Sequence, residues 1–187
     1  MRWDALFRDM EAQMAAAAGV AVEGEIAERV RIELRGISLQ DRLRSQCGKH
    51  LVVDLGTAGL LQGILRHVGE GWLVLERDRG AALAVLAHVV SIKGMDRFAS
   101  QPAETVRLGV ASALRGIARD RSAVVVRSVG SAAERALHGT IDRVGNDFLE
   151  LAALPSDQPR RPANVTAAYV LPMATVAAVL SQQSGWD

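Results

Sequence analysis

Trp3, Phe7, Met10, Met14, Ala17 and Ala21 recur at alternating steps of four and three along the start of the chain. That spacing lays one apolar seam down a helix, with Arg2, Asp9, Glu11 and Gln13 away from it. Gly19 and Gly24 weaken the middle, and the seam re-registers to Val22, Ile26 and Val30 beyond them, which predicts a bend. The stretch Val30-Arg31-Ile32-Glu33-Leu34 alternates with period two inside helical surroundings and fits either helix or strand. Residues 1–37 therefore read as an N-terminal amphipathic helical region. Trp3, Phe7, Met10 and Met14 are its candidate seam for joining copies of the chain.

Beyond that region the pattern turns to short alternating runs, and the runs repeat. Residues 60–75, LLQGILRHVGEGWLVL, align with residues 136–151, ALHGTIDRVGNDFLEL, 76 positions later. Leu61/Leu137, Gly63/Gly139, Val68/Val144, Gly69/Gly145, Leu73/Leu149 and Leu75/Leu151 are identical, and Leu65/Ile141 and Trp72/Phe148 are conservative. A second block aligns 87 positions on, with Leu86/Met173, Ala87/Ala174, Val89/Val176 and Ile92/Val179. A longer loop in the second copy, residues 152–165 with its three prolines, absorbs the difference.

Each copy opens with a helical pattern, from Leu39 and from Thr105. An alternating run follows (His50–Leu55; Ser122–Val129), then the shared block and two more short apolar runs. Gly63 and Gly139 fall mid-strand, where a missing side chain lets a strand bend sharply, and Gly69 and Gly145 fall at the following hairpin turn. Five short strands with bends at these points predict a small, highly curved sheet that closes on itself. The expected fold class is mainly β with α: an N-terminal helix, then two tandem small β-barrels, residues 38–99 and 104–182, each preceded by a short helix. The boundary between the copies is expected at residues 99–104, around Pro102.

Composition removes several function classes. Hydrophobic residues make up 49% of the 187, and 22 basic side chains face 21 acidic ones, so the chain is neither disordered nor a bulk neutraliser of nucleic acid. All basic residues but Lys49 and Lys93 are arginine, as biased codon usage would give. A single cysteine, Cys47, cannot form an internal disulfide, and no Cys/His run has zinc spacing. The charged opening and the lack of a long apolar window predict a cytoplasmic protein, neither exported nor membrane-spanning.

The order helix, strand, L-x-G-x-[IL]-x-x-V-G-x-x-[WF]-L-x-L, strand, tight turn, strand resembles the Sm-like fold, the SH3-like barrel of Sm, LSm and Hfq proteins. The two copies look like a tandem Sm-like arrangement, and the MRWDALF opening with two such blocks resembles an uncharacterised actinobacterial family. The resemblance implies barrels that pair edge to edge into rings, so that three chains would close a ring of six; the alternative is pairing of the two barrels within one chain, with the Trp3, Phe7, Met10 and Met14 seam driving a dimer. It does not extend to RNA recognition. At the positions where Sm-like RNA binders carry a base-holding Asp and Asn, this chain has Gly69 and Gly145, then Leu73 and Leu149 or Trp72 and Phe148. The Tyr-Lys-His signature of Hfq is replaced by Leu86-Ala87-His88 and Met173-Ala174-Thr175.

The candidate contacts are mostly arginines. Arg107, Arg115 and Arg119 lie within about 120° on one flank of the second helix and, with Arg121 and Arg127, make the one locally basic region. Arg160 and Arg161 stand in the proline-bearing loop. Such residues suit RNA, DNA or an acidic protein, although a solvated helix flank is the plainer reading. Trp72 and Phe148 suit base stacking, but a repeated aromatic beside alternating leucines is more often core. His50, His67, His88 and His138 show no ligand spacing, and Cys47 beside Lys49 has the setting of a slightly activated thiol, with a structural role the plainer reading.

No phosphate-loop, dinucleotide, zinc-protease or nucleophile-elbow motif occurs. The chain is thus expected to be non-catalytic, without metal, cofactor or small-molecule substrate. The expected role is a self-assembling interaction or scaffold protein that forms a homo-oligomer and binds a macromolecular partner. The alternative is an RNA- or DNA-binding regulator using the arginine flank.

Overall fold

The computed structural model describes residues 37–96, 108–130, 136–155 and 164–181. The expected N-terminal helix, with Trp3, Phe7, Met10 and Met14, the boundary at 99–104, and Arg107, Arg160 and Arg161 lie outside them.

Alternation sets the strands. Helix α1, Leu39–Arg44, leads into β1, His50–Asp54, whose Leu51 and Val53 are fully buried. A hairpin follows, β2 (Leu60–Gly69) and β3 (Trp72–Arg77), then β4 (Gly80–Val85), a single 3-10 turn (Leu86–His88) and the three-residue β5 (Ser91–Lys93). The second copy repeats the series with α2 (Val110–Asp120), β6 (Ala123–Ser128), β7 (Leu137–Val144), β8 (Phe148–Ala153), β9 (Ala167–Pro172), a 3-10 turn (Met173–Thr175) and β10 (Val176–Ser181).

The correspondence extends to register. Leu75 faces Ala82 in the first copy, and Leu151 faces Tyr169 in the second. Val53 faces Ile92, and Val126 faces Val179. A β-bulge falls between Leu65 and His67 and again between Ile141 and Arg143. Gly63 and Gly139 precede these bulges for a packing reason: a Cβ on either would overlap the carbonyl of the neighbouring strand, Glu76 in one copy and Ala152 in the other.

Two separately closed barrels are not what these strands build. All ten pair into one continuous antiparallel sheet, in the order β5-β1-β2-β3-β4-β10-β6-β7-β8-β9. Closure of either half would need its fourth strand to meet its fifth. Instead β4 pairs with β10, the fifth strand of the other half, through Ala84↔Ala178, Leu83↔Val179 and Ala82↔Leu180. The hydrogen-bonding edges that closure would use are spent on joining the halves.

The core follows the join. Ala82 and Ala84 on β4 and Ala177, Ala178 and Leu180 on β10 belong to the cluster built on Leu43, Leu51, Leu61, Leu65, Leu73 and Leu75. Leu83 and Val85 on β4 and Val176 and Val179 on β10 belong to the other cluster, built on Leu114, Val124, Val126, Ile141, Leu149 and Leu151. Each junction strand thus feeds both cores, and β10 is buried continuously from Val176 to Leu180. A strand buried on both faces needs small or apolar residues at every position, and the sequence supplies Ala-Ala-Leu-Ala-Val and Val-Ala-Ala-Val-Leu.

Candidate functional site at the ends of the sheet

The open order leaves two terminal strands, β5 and β9, each paired on one side only among the described residues. They are not arbitrary ends. Strand β9 is the second-copy counterpart of β4, and β5 the first-copy counterpart of β10, so the two ends are the same two strands that meet inside the chain. Position by position, Tyr169, Val170 and Leu171 stand where β4 has Ala82, Leu83 and Ala84, and Ser91, Ile92 and Lys93 stand where β10 has Ala178, Val179 and Leu180.

Their surroundings differ sharply. Leu83 is 4% exposed because the other half covers it, whereas Val170 is 64% exposed and Tyr169 40%. Beside β5, Val90 is 69% exposed. These are isolated apolar side chains next to unpaired strand edges, the combination that natural sheets usually blunt. Blunting is present but slight: β5 is short and carries Lys93, and β9 ends in Pro172.

The arginine flank is partly spent on structure. Arg115 donates from Nε to the Val144 carbonyl at 3.4 Å and from Nη2 to that of Gly145 at 2.9 Å, clamping α2 to the β7–β8 turn. Arg119 and Arg121 are exposed, and Arg121 occupies the left-handed position that ends α2, with φ 49°. Arg127 reaches across the junction, donating from Nη1 to the Ala58 and Leu60 carbonyls at 3.3 Å each. Its Nε is buried without a partner, and burial, then the charge of Arg77, lowers its pKa.

Trp72 packs against the second-half cluster, and the Trp72 and Phe148 rings each lie over a glycine of their own hairpin. The Trp72 ring occupies the space a Cβ on Gly69 would need, the Phe148 ring does the same at Gly145, and the Trp72 indole N–H donates to the Leu108 carbonyl at 2.7 Å. The recurrence of G-x-x-[WF] in both copies was the signal for this pairing. The surroundings of Cys47 do not favour an activated thiol. Lys49 is paired with Asp96 at 2.5 Å, and desolvation pushes the Cys47 thiol up, toward its protonated form.

Among the described residues no group of three or more His, Cys, Asp or Glu side chains is placed to hold a metal ion, and no helix is long and apolar enough to cross a membrane. A shallow polar cleft of about 560 Å³ lies over Gly63, lined by His50, Glu76, Arg77, Asp78 and Arg79 among others. Glu76 is engaged there by Arg66. No protein-family model, curated protein or solved structure matches the chain.

Proposed function

We propose that this is a non-catalytic interaction protein whose working surfaces are the two ends of its sheet. The observation that carries the reading is the exposure of Val170 and Tyr169 on a strand that, among the described residues, is paired on one side only, while its internal counterpart, β4, is paired on both. Edge strands bind by adding a strand: main-chain hydrogen bonds give affinity and alternate side chains give selectivity. The Sm-like look of the repeated blocks points the same way, toward a chain that works by assembling, and brings no transferable activity.

Nucleic-acid binding through the arginine flank is the weaker reading, since Arg115 already serves two carbonyls. The test is the native mass of freshly purified, nuclease-untreated protein beside its Val170→Lys variant. Species heavier than one chain that disappear in the variant support edge binding. A mass unchanged by the substitution overturns it, and heavy material removed by ribonuclease in both proteins moves the reading to RNA.

A further inference from the structure

Gly63 and Gly139 lack a side chain for the same reason, the carbonyl of the neighbouring strand, but their surroundings differ. Around Gly139 the paired positions hold Ala123, Thr140 and Ala152, and Thr140 and Ala152 are buried. The same positions around Gly63 hold His50, Ile64 and Glu76, and they open onto the cleft of about 560 Å³. Arg77 stands where the second half has Ala153. The strand pairing therefore does not require charge here, since the second half makes it without any.

The charges of the cleft do not cancel one another in pairs. Glu76 is engaged by Arg66, which leaves Arg77 and Arg79 with Asp78 between them in sequence. Among the described residues no ion pair engages either arginine. Two unpaired guanidiniums at one turn make a fork that matches phosphate oxygens. The turn is also held in place from outside the cleft. Gly80 takes φ +85°, and the Ser181 hydroxyl accepts from the Ala81 amide at 2.7 Å and donates to the Ala81 carbonyl at 3.2 Å. A turn fixed in this way loses little freedom when a ligand arrives.

We infer that this cleft binds a phosphorylated sugar or polyol, its phosphoryl group on Arg77 and Arg79 and its hydroxyls toward Gln62, Asp78 and His50. Size and lining select that class. The volume falls within the range of small-molecule sites and exceeds what a lone phosphate ion fills. Away from the arginines the cleft is lined by a carboxamide, a carboxylate and an imidazole, groups that hydrogen-bond hydroxyls, with Ile64 the one large apolar side chain among them. The site is separate from the edges β5 and β9, which contribute none of its lining. It also lies away from the β2–β3 turn, where the Sm-like base-holding positions fall.

Titration of the full chain, followed by the ³¹P resonance of the probe and by calorimetry, tests the assignment with glucose 6-phosphate, glycerol 3-phosphate, inorganic phosphate and glucose. At least one ester is expected to bind more tightly than inorganic phosphate, and glucose should not bind. Replacing both arginines, Arg77→Ala with Arg79→Ala, should weaken the ester by at least about tenfold, the effect of losing one hydrogen bond to a charged group. Alanine at 77 is the residue the second half carries, so the fold should persist, and an unchanged Tm checks that it does. Gln62→Ala, a neutral change at an exposed position, should weaken the ester while leaving inorganic phosphate unaffected.

No response to either ester overturns the proposal. Equal binding of esters and inorganic phosphate overturns it too, because the rest of the cleft then contributes nothing. So does binding that survives the double substitution, or that is lost in Arg119→Ala, which would place the anion on the α2 flank of the other half.

Discussion

The first and second halves of this sheet share element order, bulges and register, yet their fourth strands live in different environments. Strand β4 is covered on both faces and sits in the middle of the molecule, while β9, with the same pairing to its own third strand, has three consecutive exposed residues, Ala168, Tyr169 and Val170. Side-chain chemistry follows the environment. Where β4 has Ala82 and Ala84, small enough for two cores to meet through it, β9 has Tyr169 and Leu171. The difference teaches that the repeat specifies each strand's partners within its own half, and the second half alone determines that β4 is inside.

The comparison breaks most visibly at Leu83 and Val170. Leu83→Asp places a carboxylate in the second core, where an unpaired charge has no solvation, and is expected to prevent folding. Val170→Asp should leave melting of the single chain within about 0.5 kcal/mol of the parent while removing the edge binding proposed above. The milder pair, Leu83→Ala and Val170→Ala, should separate by about 2–4 kcal/mol in urea unfolding of the dissociated chain. Equal costs at the two positions would mean that Val170 is covered within its own chain.

A smaller effect is expected from exchanging the residues beside them. Ala82→Tyr puts the β9 side chain at a position with no exposed surface, and overpacking of that kind costs about 1–3 kcal/mol, readable as a lower urea midpoint. Tyr169→Ala should cost less than about 0.5 kcal/mol in the single chain. A tolerated Ala82→Tyr would show that the junction has room the packing of Ala82 and Leu180 does not suggest.

How much of this was legible follows the same line. The hairpins, the bulge-forming Gly63 and Gly139, and the aromatic-on-glycine pairs are local features. They left identical marks in both copies, and the alternating runs marked the first three strands of each half. The junction left a fainter mark. Runs such as Ala81–Val85 and Val176–Leu180 have no polar alternation, the sign of strands buried on both faces. That sign reports burial without naming the neighbour, and a half read by itself invites closure on its own fifth strand.

The proposed binding edge was harder still to read. Val170 looks like any strand valine until the fold removes its cover, and Arg115 looks like a surface cation until its carbonyl acceptors on the β7–β8 turn are seen. An edge is a property of what is absent beside it, and periodicity carries no record of that.

The smallest difference between the halves lies in how the helices hand over to the first strands. After α1 the chain turns with Gly48 at φ +88°, while α2 ends with Arg121 at φ 49°, the one non-glycine residue with positive φ among the described residues. Left-handed backbone costs a residue with a Cβ about 1 kcal/mol, and glycine is spared that cost. The Arg121 amide already donates to the Ala118 carbonyl at 3.2 Å, and substitution does not disturb that bond. Glycine's larger loss of freedom on folding offsets part of the gain. Arg121→Gly is therefore expected to stabilise the chain by several tenths of a kcal/mol, up to about 1, or a rise in Tm of roughly 2–4 °C at most for a protein of this size. A lower Tm would assign the exposed Arg121 side chain a stabilising contact that its position at the end of α2 does not reveal, and would make the cap of the second half more than a backbone feature.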